Sequence, residues 1–269
     1  MLNAVVIGVG GRMGRALVRA AAEIPDRLRI SGAVASTTSA SLGQDAGELA
    51  GLGCLDVRVT DDLAAALEGA DVVIDFSQAH ATRSNLTVCR AAHKPLLIGT
   101  TGFAAELGAL FEDAAREIPL LVAPNTSIGV TLLQELTRIA AKALPADFDI
   151  EIVEAHHRMK KDAPSGTALA LGKSAAEGRR LPETHPKDAT SRSSERPKGE
   201  IGYAVIRGGD IVGEHTVLFA GTGEQVTLGH RATDRAIFAR GAVQAASWLA
   251  AQAPGRYFMS DFIGLNSIA

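Results

Sequence analysis

Between Glu154 and Ala168 the chain carries two adjacent histidines, His156 and His157, the cations Arg158, Lys160 and Lys161, and the run Pro164-Ser165-Gly166-Thr167. Imidazoles titrate near neutrality and exchange protons, whereas ammonium and guanidinium groups bind anions. Ile150, Ile152 and Val153 alternate with acids before the cluster, and Ala168 to Ala176 has the composition of a helix after it. The cluster therefore sits on a strand-to-helix connection, where function concentrates. Ser165 or Thr167 suits the helix N-cap, and Gly166 lets backbone N–H groups approach a ligand closely. Such a helix start offers free donors and a positive dipole end to a carboxylate. Adjacent residues of an extended segment point to opposite faces, so at most one of His156 and His157 faces a given ligand. No shared metal is expected, and no His-Glu-x-x-His pattern occurs. A basic, solvated loop running into an ordinary capped helix would share this composition, and the residues alone leave that reading open.

The N-terminus holds the second constellation. Ala4 to Ile7 is a short apolar run, followed by Gly8-Val9-Gly10-Gly11-Arg12-Met13-Gly14 and an amphipathic stretch from Arg15 to Ala22. In dinucleotide-binding folds, glycines after a first strand permit a tight turn and close approach to a pyrophosphate, whose charge meets the helix start. The spacing departs from the plain fingerprint, because Met stands at 13 and the third glycine follows at 14. A strand-to-helix turn without a ligand remains the alternative.

Composition narrows the rest. The 269 residues are 46% hydrophobic and 21% charged, enough for two modest globular domains. A net charge of −3 gives no electrostatic footprint for nucleic acid or an acidic membrane surface. Aromatic residues are 4% of the chain, which argues against base stacking. Cys54 and Cys89 are far apart and in no metal or redox spacing, so a reducing cytoplasm is the expected compartment. No apolar run approaches the ~20 residues of a membrane span, and a signal-peptide pattern is not expected.

Strands and helices alternate through the first half. Strands are predicted at 28–35, 71–76, 95–98 and 120–122, and helices at 62–67, 79–92 and 104–117. This pattern predicts an α/β fold with a doubly wound parallel sheet, whose ligands bind beyond the carboxyl ends of the strands. The segments 8–14, 76–77, 99–102 and 123–126 should then converge. Beyond a helix at 128–143 the pattern changes. Segments 202–207, 211–220 and 225–231 read as antiparallel strands linked by glycine turns, a second α+β domain with a mixed or antiparallel sheet. Residues 180–200 form a polar loop, either a passive excursion or a lid. A helix over 232–251 returns to the first domain. The expected domains are 1–126 with 232–269 for the dinucleotide, and 127–231 for substrate and oligomerisation, with hinges near 125–129 and 231–235.

Several motifs, in order, resemble the dihydrodipicolinate reductase family: Gly8 to Gly14, Asp45 to Leu49, Ile74-Asp75-Phe76, Gly99 to Phe103, Glu154 to Ala168, and Gly209 to Thr216. The resemblance implies a Rossmann-like nucleotide domain and NAD(P)H-dependent reduction of 4-hydroxy-tetrahydrodipicolinate, or its dehydrated form, to tetrahydrodipicolinate. It implies His156 as catalytic acid/base, Lys160 as proton donor, and His157, Ser165, Gly166 and Thr167 as binders of a cyclic dicarboxylate. It implies cofactor contacts at Gly8, Val9, Gly10, Gly11, Arg12, Met13, Ala35 and Ser36, and further along the chain at Gly99, Thr100, Thr101, Ala123, Pro124, Asn125 and Thr126. A homotetramer assembled through the second domain's sheet is implied as well. Another NAD(P)-dependent oxidoreductase of a small dicarboxylate or amino acid, or a nucleotide-sensing regulator without turnover, are the competing readings.

The chain departs from its relatives at the end of the second strand. An acidic residue there normally binds the ribose hydroxyls and repels a 2′-phosphate. Here the segment is Ala33-Val34-Ala35-Ser36-Thr37-Thr38, without Asp, Glu or Arg. With hydroxyls at 36–38 and Arg12 in the glycine turn, NADPH is expected to be well accepted or preferred, and NADH still usable. Thr126 stands where several relatives carry an aromatic residue.

Overall fold

The computed structural model describes residues 1–102, 107–182 and 195–265. Phe103, the start of the helix expected over 104–117, and most of the polar loop at 180–200 lie outside the described residues. The chain divides into two compact units, Met1–Ser127 with Ala236–Gly264, and a second that spans Ile128–Arg235.

In the first unit the apolar runs become β1 (Leu2–Ile7), β2 (Leu28–Val34), β4 (Val72–Asp75), β5 (Leu96–Ile98) and β6 (Pro119–Val122), joined by the short β3 (Val59–Thr60) and β11 (Gly255–Tyr257). They form one sheet in the order β11-β6-β5-β4-β1-β2-β3, with every pairing parallel. A parallel sheet is covered on both faces, so its strands read as continuous apolar runs rather than as alternation. Val6, Ile74, Leu97 and Leu121 face one core, closed by α1 (Arg12–Ala22) and α8 (Ala236–Leu249). Val5, Val73, Leu96 and Leu120 face the other, closed by α3 (Leu63–Ala66), α4 (Thr82–Ala91) and α5 (Leu107–Ala114). Because all strands run the same way, their carboxyl ends share one edge, and the strand order reverses at β1.

Among the short elements that escape the sequence pattern, two have a plain cause. The five-residue α2 (Ala46–Ala50) exists because Asp45 caps it, its carboxylate accepting from the N–H groups of Gly47 and Glu48 and also of Leu55 and Val57. These bonds, that from Leu55 first, hold the Asp45 carboxyl down at about 2. Strand β11 has no apolar run. It is held by pairing with β6 and by Tyr257, edge-on to Trp248 with ring centroids 5.3 Å apart.

The second unit runs α6 (Ile128–Ala143), β7 (Asp149–His156), α7 (Gly166–Arg179), β8 (Ile201–Arg207), β9 (Gly213–Ala220) and β10 (Gln225–Ala232), with the sheet order β10-β9-β7-β8. The glycine-turn reading holds for the antiparallel pair β9 and β10. It fails for β8, which lies parallel to β7, because α7 forms the crossover between them and parallel neighbours need one. The return helix starts at Ala236 rather than at 232, since β10 continues to Ala232.

One face of this sheet is apolar where it lies under the helices. Ile150, Ile152, Val217, Phe219, Ile201 and Tyr203 pack there with Leu133 of α6 and Leu171 of α7. The other face carries Val153, Ala204, Ile206 and Leu218, and Ile206 is 51% exposed. No described helix is long and apolar enough to cross a membrane.

Candidate active site

In the first unit the glycine turn caps the carboxyl end of β1 and opens α1. Gly14 permits this packing, since a Cβ there would lie 2.2 Å from the Gly8 carbonyl oxygen. The N–H groups of Gly8 and Val9 both reach the Val34 carbonyl, and that of Gly11 reaches Gly8. Those of Gly10, Arg12 and Met13 have no backbone acceptor among the described residues, which is the donor set of an anion-binding helix start. Beside them lies a cavity of about 660 Å³, lined by Gly8, Gly10 and Gly11, by residues 35–39, and by Ser77 and Asn85. The donors, the open turn and the cavity fit a dinucleotide.

Asp75, at the end of β4, is fully buried, and burial raises its pKa. Its carboxylate accepts from the Ser77 N–H at 2.8 Å and from Asn85 Nδ2 at 3.0 Å, fixing two residues of the cavity wall. Gly99 to Thr101 and Ala123 to Thr126 follow β5 and β6 on the same edge but do not line this cavity. Thr100 is buried, its hydroxyl 3.4 Å from the Asp75 and Ser77 carbonyl oxygens, while Thr101 and Pro124 are exposed. The Thr126 hydroxyl donates to the Phe238 carbonyl at 2.7 Å and so ties β6 to α8. Val9 is wholly buried and Met13 packs on the core, so of the two only Met13 offers a ligand a backbone donor. Arg12 is exposed and makes no hydrogen bond or ion pair among the described residues. Asp61, to which the sequence analysis assigns no role, is the one carboxylate on the cavity wall among the described residues.

In the second unit the site grows out of the core. Along β7, Ile150, Ile152, Glu154 and His156 share the face under the helices, and the last two are polar where the first two are not. Glu154 is 1% exposed, and its carboxylate receives a full set of donors. Arg207 at the end of β8 grips it with two bonds, Nη1 to Oε2 at 2.7 Å and Nη2 to Oε1 at 2.8 Å. The Ser165 N–H reaches Oε1 at 3.0 Å, and His156 Nδ1 lies 2.5 Å from Oε2. Burial opposes ionisation of Glu154, but the bonds from Arg207 and His156 outweigh it and hold its pKa below the ordinary carboxylate range. An ionised carboxylate only accepts, so the proton of neutral His156 resides on Nδ1 and the Nε2 lone pair is left free. Gly213 of β9 makes room for that atom, since a Cβ there would stand 3.1 Å from Nε2. Burial lowers the His156 pKa, and Glu154 offsets this only in part.

His215 completes the cluster. It pairs across the sheet with Glu154, its ring stands edge-on to His156 with centroids 5.1 Å apart, and Nε2 lies 3.1 Å from Ser165 Oγ. Ser165 is the N-cap of α7, its Oγ accepting from the Ala168 N–H at 3.2 Å. That hydroxyl is therefore engaged twice, and the residue is buried. Gly166 is exposed and Thr167 half-buried at the head of α7. A tight turn from the His157 carbonyl to the Lys160 N–H follows β7, and Lys160 Nζ pairs with Asp162 at 2.8 Å. His157 is half-buried on that turn, and its side chain makes no hydrogen bond among the described residues. No group of three or more described His, Cys, Asp or Glu residues is arranged to hold a metal.

The structure thus gathers His156, Lys160, Ser165, Gly166 and Thr167 at one end of one sheet. The sequence reading gave Glu154, Arg207 and His215 no role. The alternation Glu154-x-His156 put two of these partners on one face. Nothing in one sequence announces the registers that bring Arg207 opposite His156 and His215 opposite Glu154.

A nucleotide-binding parallel sheet joined to a unit carrying an oriented histidine and a capped helix start defines the class of two-unit, nicotinamide-dependent oxidoreductases. Residues 2–126 match the family model for the N-terminus of dihydrodipicolinate reductase and residues 129–263 that for its C-terminus. The chain belongs to the dihydrodipicolinate reductase family. It is 51% identical to a 4-hydroxy-tetrahydrodipicolinate reductase of Alkalilimnicola ehrlichii, over 97% of this chain and 98% of that one. It is 49% identical to one of Anaeromyxobacter dehalogenans, over 99% of both. Among solved structures it resembles the dipicolinate-bound dihydrodipicolinate reductase of Paenisporosarcina sp. TG-14, with a TM-score of 0.78 and 25% identity over 100% of both chains.

The buried histidine makes stability depend on pH. Burial pushes the His215 pKa from 6.5 down to about 4, so between those values the unfolded chain binds a proton that the folded chain refuses. The stability that neutral His215 allows is intact above about 6.5, falls as the pH drops towards 4, and its loss is complete below. The loss is about 3 kcal/mol, and His156, shifted the same way, adds to it. Urea midpoints from pH 7 to pH 4 should therefore fall further for the wild type than for His215→Gln, which keeps a partner for Ser165. Equal acid sensitivity in the two proteins refutes this origin.

Proposed function

We propose that this chain reduces 4-hydroxy-tetrahydrodipicolinate to tetrahydrodipicolinate with NAD(P)H, in lysine and diaminopimelate biosynthesis. The observation that carries the reading is the imidazole of His156, held on Nδ1 by an ionised, buried Glu154 beside the capped start of α7, in a chain of this family. Gly8 to Met13, Ala35 and Ser36, Gly99 to Thr101 and Ala123 to Thr126 hold the nucleotide, which when bound supplies a hydride. Replacing the ring hydroxyl by that hydride also requires a proton, and water leaves. His156 Nε2 is the acid and base of this exchange, and Lys160 donates a proton and balances charge that builds on the ring. The substrate's carboxylates rest on His157 and on the helix start at Gly166 and Thr167, where backbone donors and the helix dipole favour an anion.

Roles that differ in this way separate in steady-state kinetics. His156→Gln and Lys160→Ala should each lower kcat by about 10²–10⁴-fold while nucleotide binding survives. His157→Gln and Thr167→Ala should mainly raise KM. Turnover above half the wild-type value in either of the first pair, or an unchanged KM in both of the second, contradicts the assignment.

The nucleotide site favours NADPH over NADH or accepts both. The cavity wall at 35–39 is Ala-Ser-Thr-Thr-Ser without an acid, and Arg12 stands free at the start of α1. Among the described residues, Asp61 is the only opposing charge on that wall. A charge-assisted contact contributes roughly 1.5–3 kcal/mol, so Arg12→Ala should weaken NADPH by about ten- to a hundredfold and NADH much less. Fluorescence titration decides: strong NADH preference in the wild type, or equal losses in the variant, would be incompatible with this site.

The enzyme works in the cytoplasm as a homotetramer joined through the outer face of the second unit's sheet, where Ile206 is 51% exposed beside Val153, Ala204 and Leu218. Light scattering should return four times the chain mass for the wild type and a smaller particle for Ile206→Glu. A monomeric wild type rejects the assembly.

A further inference from the structure

We infer that Glu154 is a positioning residue for the reaction proposed above, its two carboxylate oxygens setting the proton-transfer group and the anion-binding helix start in one fixed relation. The inference rests on that reaction for its consequence and on geometry for its content. Oε2 takes His156 Nδ1 at 2.5 Å, which assigns the tautomer and aims Nε2 at the space kept open by Gly213. Oε1 takes the Ser165 N–H at 3.0 Å, which fixes the N-cap from which Gly166 and Thr167 begin. Arg207 closes both oxygens with its two Nη groups and holds the Asp162 carbonyl at 2.7 Å with one of them, so the loop between β7 and α7 is tied to the same carboxylate at its far end. Every strong acceptor direction of Glu154 is used, and the residue is almost wholly buried. A group orienting an imidazole from its far nitrogen acts through that imidazole and need not touch substrate.

A stability role alone would not require one carboxylate to serve both the imidazole and the cap. Glu154→Gln keeps the size but turns an acceptor into an amide whose NH₂ faces N–H donors. It should therefore disturb the two functions together. In the reductase assay, normalised to correctly folded protein, kcat should fall by about 10²-fold or more and KM should rise by about three- to tenfold. His156→Gln, by contrast, should move kcat and Thr167→Ala should move KM. The pH profile supplies a readout that loss of packing would not give. The charges facing His156 are Glu154 on its own strand, Arg207 from β8 and Lys160 from the following turn, with titratable His215 from β9. Of these only Glu154 favours the imidazolium, so its neutralisation should move the limb on which His156 loses its proton to lower pH.

The tautomer can be read without any variant at this position. In ¹⁵N-labelled wild-type protein above the His156 titration, with the resonance assigned by its absence in His156→Gln, Nδ1 should carry the protonated-type shift and Nε2 the lone-pair type. The opposite pattern overturns the inference, as does a folded Glu154→Gln enzyme with wild-type kcat, KM and pH profile. The NMR measurement needs no substrate. A wild-type protein that fails to turn over 4-hydroxy-tetrahydrodipicolinate counts against the proposed reaction, while the imidazole spectrum still decides the role of Glu154.

Discussion

A carboxylate removed from water must find donors for its lone pairs or lose its charge. Glu154 keeps its charge, and the carboxyl end of β7 is shaped by how it does so. Its donors come from three places: its own strand, the end of β8 and the N-cap of α7. Each is held where the carboxylate needs it, so the His156 imidazole and the helix start capped by Ser165 inherit their geometry from one electrostatic requirement. A buried ion pair of this kind is a poor device for stability, because desolvation cancels much of the attraction. Its value here is orientation.

The two units solve different problems with the same elementary rule, that the carboxyl end of a strand is where chemistry can be placed. In the first, a parallel sheet buried on both faces leaves only an edge for ligands, and the glycine turn, the hydroxyl-rich segment after β2 and the wall anchored by Asp75 all lie on it. In the second, one face of a mixed sheet changes character along its length, from Ile150 and Ile152 beneath the helices to Glu154 and His156 at the end. The core and the site are consecutive stretches of one surface, and His215 is buried enough to titrate at about 4 because it stands where they meet.

Much of this was legible in the sequence for a physical reason. The apolar runs at Ala4 to Ile7, Val72 to Ile74 and Leu120 to Val122 lie in strands covered on both faces, and so they read as unbroken. The helix over 128–143 and the cap before α7 carry local signals. Where pairing rather than pattern builds an element, the sequence was silent. Strand β11 is Gly-Arg-Tyr and exists by pairing with β6, while α2 is five residues long and exists because Asp45 collects N–H groups from both sides of it. The direction of β8 followed from the crossover helix, not from its own residues. The site divides in the same way. His156, Lys160 and the Ser-Gly-Thr cap stand within one short segment, whereas Arg207 and His215 arrive through strand registers set by distant hydrophobic contacts.

Strand β7 carries both kinds of information on alternate residues, and this has a consequence for how the chain can vary. A strand's side chains change face with every residue, so an inserted or deleted residue does not perturb locally but inverts all that follows. Within Asp149–His156 such an event would turn Ile152 outward and Val153 inward, and would exchange the aim of Glu154 with that of Ala155. Folding and catalysis would fail at a single stroke, with no intermediate loss of one alone. The eight residues of β7 are therefore open to substitution one at a time but closed to a change in their number.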